Sequence, residues 1–349
     1  MNKHPLALAV LVGLAGAAHA QSSVTVYGVI DLNLYHKQLA GESAPTKIES
    51  GGMTTSHFGF RGNEDLGGGM SAIFNLSSFI RADGGGAGRS DTDAFWSRMS
   101  WVGLQSGYGT VKLGRQGTEN FVQSIRFSPF SDSMAFGPIM LHTFMPSATQ
   151  PMMTSSGSST AGDFAWNNSL SYTSPNFSGA VGTVMASLGE GTPAGRRLGG
   201  SLYYAGGPLA ATLVIEKIEK ASLNFSKPPA SIPMTDSKLV HAGASYDLTA
   251  VKLFGQYIRT NLNNATTEIT LATKQFGATA PVGSGRVLAA WTRTDKTQTA
   301  VANQKRDTVS LGYDYDLSKR TDLYAVVLND KVTGLSGGTG FAVGLRHRF

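Results

Sequence analysis

From Val24 onward the chain alternates. Val24, Val26, Ile30 and Leu32 point one way and Thr25, Tyr27, Asp31 and Asn33 the other, the period of two that a half-solvated strand shows. The same period returns at about 53–62, 69–80, 94–105, 109–116, 164–174, 179–188, 196–205 and 208–218. It continues at about 237–247, 250–260, 267–279, 285–295, 305–316, 321–330 and 339–349. The pattern predicts sixteen antiparallel strands, an even number, as a closed single-chain transmembrane β-barrel needs. The connections sort by length. Short ones fall near 64–68, 105–108, 174–178, 206–207, 248–249, 282–284 and 317–320. Long ones fall near 37–52, 81–93, 117–163, 189–195, 219–236, 261–266, 296–304 and 331–338. Long and short take turns, the arrangement of a barrel with tight turns at one rim and loops at the other. A soluble sandwich has no reason to sort its loops in this way.

The faces agree. In the last segment Phe341, Val343, Leu345 and Phe349 share one side, and Ala342, Gly344, Arg346 and Arg348 the other. In lipid every backbone N–H and C=O must be paired, which helices and closed barrels achieve. An arginine facing lipid at the bilayer midplane costs about 2–4 kcal/mol, so the arginine side faces water. Tyr27, Trp101, Tyr172, Tyr203, Tyr313 and Tyr324 lie near strand ends and suit an interfacial aromatic girdle.

One stretch breaks the pattern. Residues 117–163 have Met, Ser, Pro, Gly and Thr in excess and no sustained period. A connection of that length in an otherwise economical β protein is normally functional or disordered. It is expected to fold into the lumen and narrow it. Pro129, Gly137 and Pro138 supply bends. Met134, Met140, Met145, Met152 and Met153 suit loop packing better than a metal site.

Composition narrows the class. Cysteine is absent, so disulfides and thiolate ligands are excluded. Charged residues are 15%, mean hydropathy is −0.07, and no apolar run long enough for a membrane helix follows the N-terminus. The formal charge is +6, but its lysines and arginines are scattered, so no nucleic-acid face is expected. Residues 1–20 carry Lys3, an apolar run from Leu6 to about Ala15, and Ala18-His19-Ala20. They read as a secretory signal peptide cleaved after Ala20, leaving a barrel domain over 21–349. No cofactor or metal is expected, since Asp91-Thr92-Asp93 lacks the spacing of a calcium loop. The histidines stand singly, with no nucleophile and oriented base to support a barrel hydrolase.

Several stretches carry a resemblance. SSVTVYGVIDLNL, FGFRGNEDLGGGMSAIFNL, RMSWVGLQSGYGTVKLGRQ, NNSLSYTSPNFSGAVG, GYDYDLSKRTDLYA and the terminal VGLRHRF resemble the general porins of β-proteobacteria, in order and across the whole chain after the leader. The resemblance implies a homotrimer in the outer membrane of a Gram-negative bacterium, among its lipid and lipopolysaccharide. It implies a non-enzymatic channel for passive diffusion of ions and small hydrophilic solutes. It implies a third outer loop folded into each pore, and a C-terminal Phe349 read by the barrel assembly machinery. The family sets wall arginines against loop acids at the constriction. Here His57 replaces one arginine, with Arg61 four residues on, Arg98 matches a second, and Ala165 stands where a third is common. The loop offers Glu119 and Asp132, but also Arg126 and His142. A weakened transverse field with weak anion preference follows from the resemblance. Glu119 and Asp132 serve either that field or the loop's own backbone amides, and His57 is either a titrating charge or a neutral wall residue.

Overall fold

The computed structural model describes residues 23–43, 45–145, 152–155, 164–190, 195–224 and 231–349. The predicted leader, and Met152 and Met153 as side chains, lie outside the described residues. Sixteen long strands form the wall among them. They are β1 Ser23–Lys37, β2 His57–Gly67, β3 Met70–Arg81, β4 Met99–Ser106, β5 Gly109–Gly117, β6 Ala165–Thr173, β7 Ala180–Ser187 and β8 Arg197–Gly206. The second half is β9 Leu209–Glu219, β10 Asp236–Asp247, β11 Lys252–Asn263, β12 Glu268–Val282, β13 Gly285–Gln298, β14 Val301–Asp316, β15 Thr321–Val332 and β16 Gly338–Arg348. Each pairs antiparallel with its neighbour, and β1 closes on β16 from Val29 opposite Arg348 to Lys37 opposite Gly340. Closure leaves no long edge unpaired, which is what a hydrocarbon surround requires.

The alternation is carried through to burial. In β9, Leu213 and Ile215 are exposed while Val214 and Glu216 are buried. In β16, Phe341, Val343 and Leu345 are exposed on the outer face, with Ala342 and Arg346 buried on the inner. No helix among the described residues is long and apolar enough to cross a membrane. Gly28 closes the seam. Its N–H and C=O pair with the C=O and N–H of Phe349 at 3.2 and 3.1 Å, and the Phe349 ring occupies the space that a Cβ would need.

Four expectations are corrected. The segment predicted over 94–105 becomes strand only at Met99, because Phe95 and Trp96 leave the ladder and pack edge-on against Phe58 and Phe60. The segment predicted over 53–62 begins at His57, because Gly51–Ser56 turn inward. The loop predicted over 296–304 shrinks to a tight turn at Thr299 and Ala300, with Ala300 at φ 58°. There both faces turn polar while backbone pairing continues, so the hydrophobic period ends before the strand does. Finally, Tyr27, Trp101, Tyr203 and Tyr324 face inward rather than joining a girdle. Tyr27 bonds Asn75, Trp101 lies under Lys112, Tyr203 lies under Arg126, and Tyr324 bonds Asp31.

The outer end also carries small strands the alternation did not predict. Thr46–Ser50 pairs with the upper half of β1, and Ala221–Asn224 pairs with both Ser231–Pro233 and Met152–Ser155.

Candidate channel and its constriction

The stretch after β5 folds into two short helices. Helix α1, Glu119–Arg126, starts at Thr118, whose hydroxyl accepts the Phe121 N–H. Glu119 in its first turn and Arg126 in its last match the helix dipole. Helix α2, Pro138–Thr143, opens on a proline, whose missing N–H costs nothing in a first turn. Neither helix was legible, because each is short and its apolar residues follow no strand period. Phe127, Phe130, Phe136, Ile139, Met140, Leu141 and Phe144 are at most 2% exposed. Phe127 lies against Gly243 and Tyr203, and the others pack in clusters with buried wall residues.

Wall groups then tie down the loop backbone. Glu216 accepts the Asn120 N–H at 2.8 Å. Gln256 and Gln275 donate to the Phe127 carbonyl at 3.0 and 3.1 Å, and Ser310 donates to that of Phe136 at 2.7 Å. The His142 ring lies between the Thr294 and Thr308 hydroxyls at 2.8 and 2.7 Å. Burial, reinforced by Arg306, holds its pKa well below the usual imidazole value against the opposing pull of Asp330. Arg306 itself donates to Asp330 at 2.9 Å and to the Leu141 carbonyl at 3.3 Å. Every one of these wall groups lies on the face opposite the exposed apolar band. Residues 118–145 therefore lie along the inner surface.

A second device faces this loop. The Asp31 carboxylate on β1 accepts N–H groups from Gly52 at 3.2 Å, Met53 at 2.8 Å and Thr54 at 2.8 Å, plus the Tyr324 hydroxyl. The backbone of 51–56 wraps around that carboxylate. Gly51 sits at φ 88°, and a Cβ on Gly52 would collide with Tyr324, so both glycines are required. From this turn Thr54 donates to Asp132 at 3.1 Å, and the Gly52 carbonyl accepts Ser133 Oγ at 2.7 Å. Arg346 holds Thr54 from the other side at 3.0 Å.

Asp132 thereby reaches the meeting point of two lumenal cavities. One, about 430 Å³, is lined by Lys37, Glu49, Arg89 and Arg98 among others. The other, about 450 Å³, is lined by Arg286, Arg346, Arg348 and Asp314. Asp132 borders both. Burial pushes its carboxyl pKa upward, with Arg98, the Thr54 hydroxyl and Arg346 pulling the other way.

The expected site residues divide into groups. Arg98 lies within electrostatic reach of both His57 and Asp132. His57 is buried, with Nδ1 2.9 Å from the Thr55 carbonyl and its ring edge-on to Tyr27. Arg61 is exposed and lies over the Tyr27 ring. It lines a separate cavity toward the tight-turn rim with Asn63 and Trp101. Glu119 accepts the Ser201 hydroxyl at 2.6 Å and feels Lys112 rather than lining the cavities at Asp132. Arg126 stacks on Tyr203. Ala165 is buried in the cluster with Phe79 and Phe164. Lys37, Glu49 and Arg89 were missed because they fall in or beside predicted loops, where parity gives no direction. Arg346 and Arg348 were legible as the polar face of the last strand, but their partners were not. Asp322 bonds both arginines, and Asp314 bonds Arg346 and Arg286.

Comparison with known proteins decides the family. The model of the Gram-negative porins matches residues 7–335. This chain belongs to that family. The porin is 33% identical to outer membrane porin protein 32 of Delftia acidovorans over the full length of both chains. It is 27% identical to an outer membrane porin protein of Bordetella pertussis, again over both chains entirely. Its fold superposes on an anion-selective porin from Comamonas acidovorans with a TM-score of 0.76 and 29% identity, covering 94% of this chain and 100% of that one. OmpT of Vibrio cholerae, at 13% identity and TM-score 0.71, shares the fold. The barrel is a diffusion channel, as the family and the fold support.

Proposed function

We propose that this porin is a trimeric outer-membrane channel of weak anion preference, narrowed by its 117–163 loop. The selecting charges are Arg98 on the wall and Asp132 on the loop, with His57 as a neutral wall group. Arg61 and Arg126 add positive charge away from the narrowest point, and Glu119 anchors α1. The observation that carries this reading is Asp132 bordering both cavities, each of which has three cations against two acids. Fixed charges in a narrow aqueous passage bias which ions linger, and within about 8–10 Å they act almost unscreened at ordinary salt. Three basic groups against two acidic ones favour anions only slightly. The porin from Comamonas acidovorans is anion-selective, which agrees in sign.

The trimer reading is supported by the outward cluster of Phe58, Phe60, Phe95 and Trp96, where a loop segment lies over the outer wall instead of extending into water. Such a covered aromatic face suits a neighbouring subunit better than mobile acyl chains. Residues 1–20 direct export, Phe349 serves the assembly machinery, and the remaining outer face meets lipid and lipopolysaccharide. The channel needs no covalent step. Insertion into planar bilayers in three equal conductance steps, together with swelling of liposomes in small sugars but not in large ones, is the expected result. Single unequal steps would remove the trimer, and no swelling in any solute would remove the open channel.

A further inference from the structure

The cavity of about 430 Å³ is not lined as a simple sieve for salts. Beside its charges it presents the half-buried side chains of Phe121, Met134 and Met145, backed by the buried Phe164. Phe121 stands edge-on to the buried rings of Phe164 at 5.5 Å and Phe144 at 5.2 Å, so it is held as a fixed ring at the cavity wall, a shelf with Met134 and Met145 beside it. Water gains nothing from such a wall, whereas an apolar solute body loses its own hydration there. The cations beside the shelf are not equivalent. Arg89 is engaged, with its guanidinium bonded to Asp93 at 3.0 and 3.1 Å and stacked on Phe79 and Phe164 at 4.6 Å. Lys37 has Glu49 in electrostatic reach. The Arg98 side chain makes no hydrogen bond among the described residues, and its fork of donors remains open to the cavity where Asp132 faces it.

We propose that this cavity is a docking site for organic monocarboxylates with an aromatic or similarly bulky apolar body, the carboxylate on Arg98 and the body on the Phe121–Met134–Met145 shelf. The assignment rests on the channel reading above and names a solute class for it. Arg98 offers planar, bidentate recognition of a carboxylate, which a lysine does not. Asp132 already faces Arg98, so there is room for one further negative charge. A second carboxylate on the solute would lie either against Asp132 or on the phenyl and thioether surface. Dicarboxylates and short acids are thus disfavoured, the first by charge and the second by lack of contact. A cavity of about 430 Å³ admits a phenyl-sized body with water beside it.

The test uses the full-length porin in planar bilayers, with phenylacetate, acetate and succinate as probes in KCl. Phenylacetate is expected to reduce the open current and add excess noise in a saturable manner. Acetate and succinate at the same concentration are expected to have at least tenfold weaker effects. Arg98→Gln should weaken the phenylacetate effect at least tenfold, read against the variant's own open current. Arg98→Lys should keep part of it, and Phe121→Ser should weaken phenylacetate while leaving acetate alone. Heat-modifiable migration of each variant establishes that the barrel is folded. Normal KCl conductance with phenylacetate and acetate indistinguishable overturns the site while leaving the channel standing, as does an unchanged blockade in folded Arg98→Gln. Absence of any KCl conductance overturns the channel reading, and the site with it.

Discussion

Arg306 is the strongest single anchor of the inward loop, and Arg306→Ala should loosen that loop without opening the wall. Arg306 and Asp330 are each 1% exposed as side chains, with an N–O separation of 2.9 Å. The guanidinium reaches both Asp330 oxygens, at 2.9 and 3.2 Å, and the Leu141 carbonyl at the end of α2. Truncation leaves Asp330 buried, with the Thr308 hydroxyl and the Ala40 N–H as its remaining donors. Breaking a buried pair by removing one partner costs about 3–5 kcal/mol. That cost falls on the wall pair; the tie to the loop is the hydrogen bond to Leu141, worth about 1.5–3 kcal/mol for a charged donor, so at about 1.4 kcal/mol per tenfold the docked-to-undocked ratio of the loop falls by about ten- to a hundredfold. The other ties, through His142, Ser310, Gln256, Gln275 and Glu216, contribute about 0.5–1.5 kcal/mol each and keep the loop inside most of the time. The ladder between β14 and β15 loses no backbone bond. Single-channel traces of Arg306→Ala should show frequent excursions to higher conductance, with heat-modifiable migration as in the wild type. A double Arg306→Met, Asp330→Met variant leaves no stranded charge and should be quieter than the single one. A folded Arg306→Ala channel as quiet and as narrow as the wild type would refute the reasoning.

His142 gives a pH dependence. Its folded pKa is depressed, so the undocked loop takes up a proton that the docked loop does not. Docking is therefore intact above the ordinary imidazole pKa of about 6.5 and weakens below it, by at most about 1.4 kcal/mol per pH unit. Recordings at pH 5 should be noisier than at pH 7.5, and His142→Gln should flatten the difference. Arg98→Gln and Asp132→Asn should move the reversal potential in opposite directions, the first toward cations and the second toward anions; shifts of the same sign would break the assignment. Asp31→Ala should strand the Gly52, Met53 and Thr54 amides, widen the channel and lower thermal stability by about 1–3 kcal/mol per unsatisfied group, measurable as an earlier loss of heat-modifiable migration. Removal of Phe349 should leave the protein translatable but unassembled, which fractionation of the outer membrane would detect.

The wall was legible because lipid enforces it. Backbone groups must close on themselves and side chains must alternate, so Val24 to Asn33 announces both faces at once. The interior was less legible because its rules are local. Asp31 reads as one more polar position of β1, and nothing nearby in sequence says that residues 51–56 will wrap it. Tyr324, which completes the nest, lies 293 residues away. The helices of the loop were hidden in a stretch without period, where Phe127 to Phe144 find their partners on distant strands. The girdle assignment failed at Trp101 and Tyr203 for the same reason. A ring near a strand end suits either interface or lumen, and its partner (Lys112 or Arg126) decides.

The central claim is an open channel whose fixed charges leave a slight excess of positive potential at Asp132. The measurement that tests it most directly is the reversal potential of the wild-type porin across a tenfold KCl gradient in a planar bilayer. The account predicts ohmic conductance and a small reversal potential of the sign that marks chloride as the more permeant ion. A reversal potential of cation-selective sign, or a folded barrel that carries no current, would contradict it.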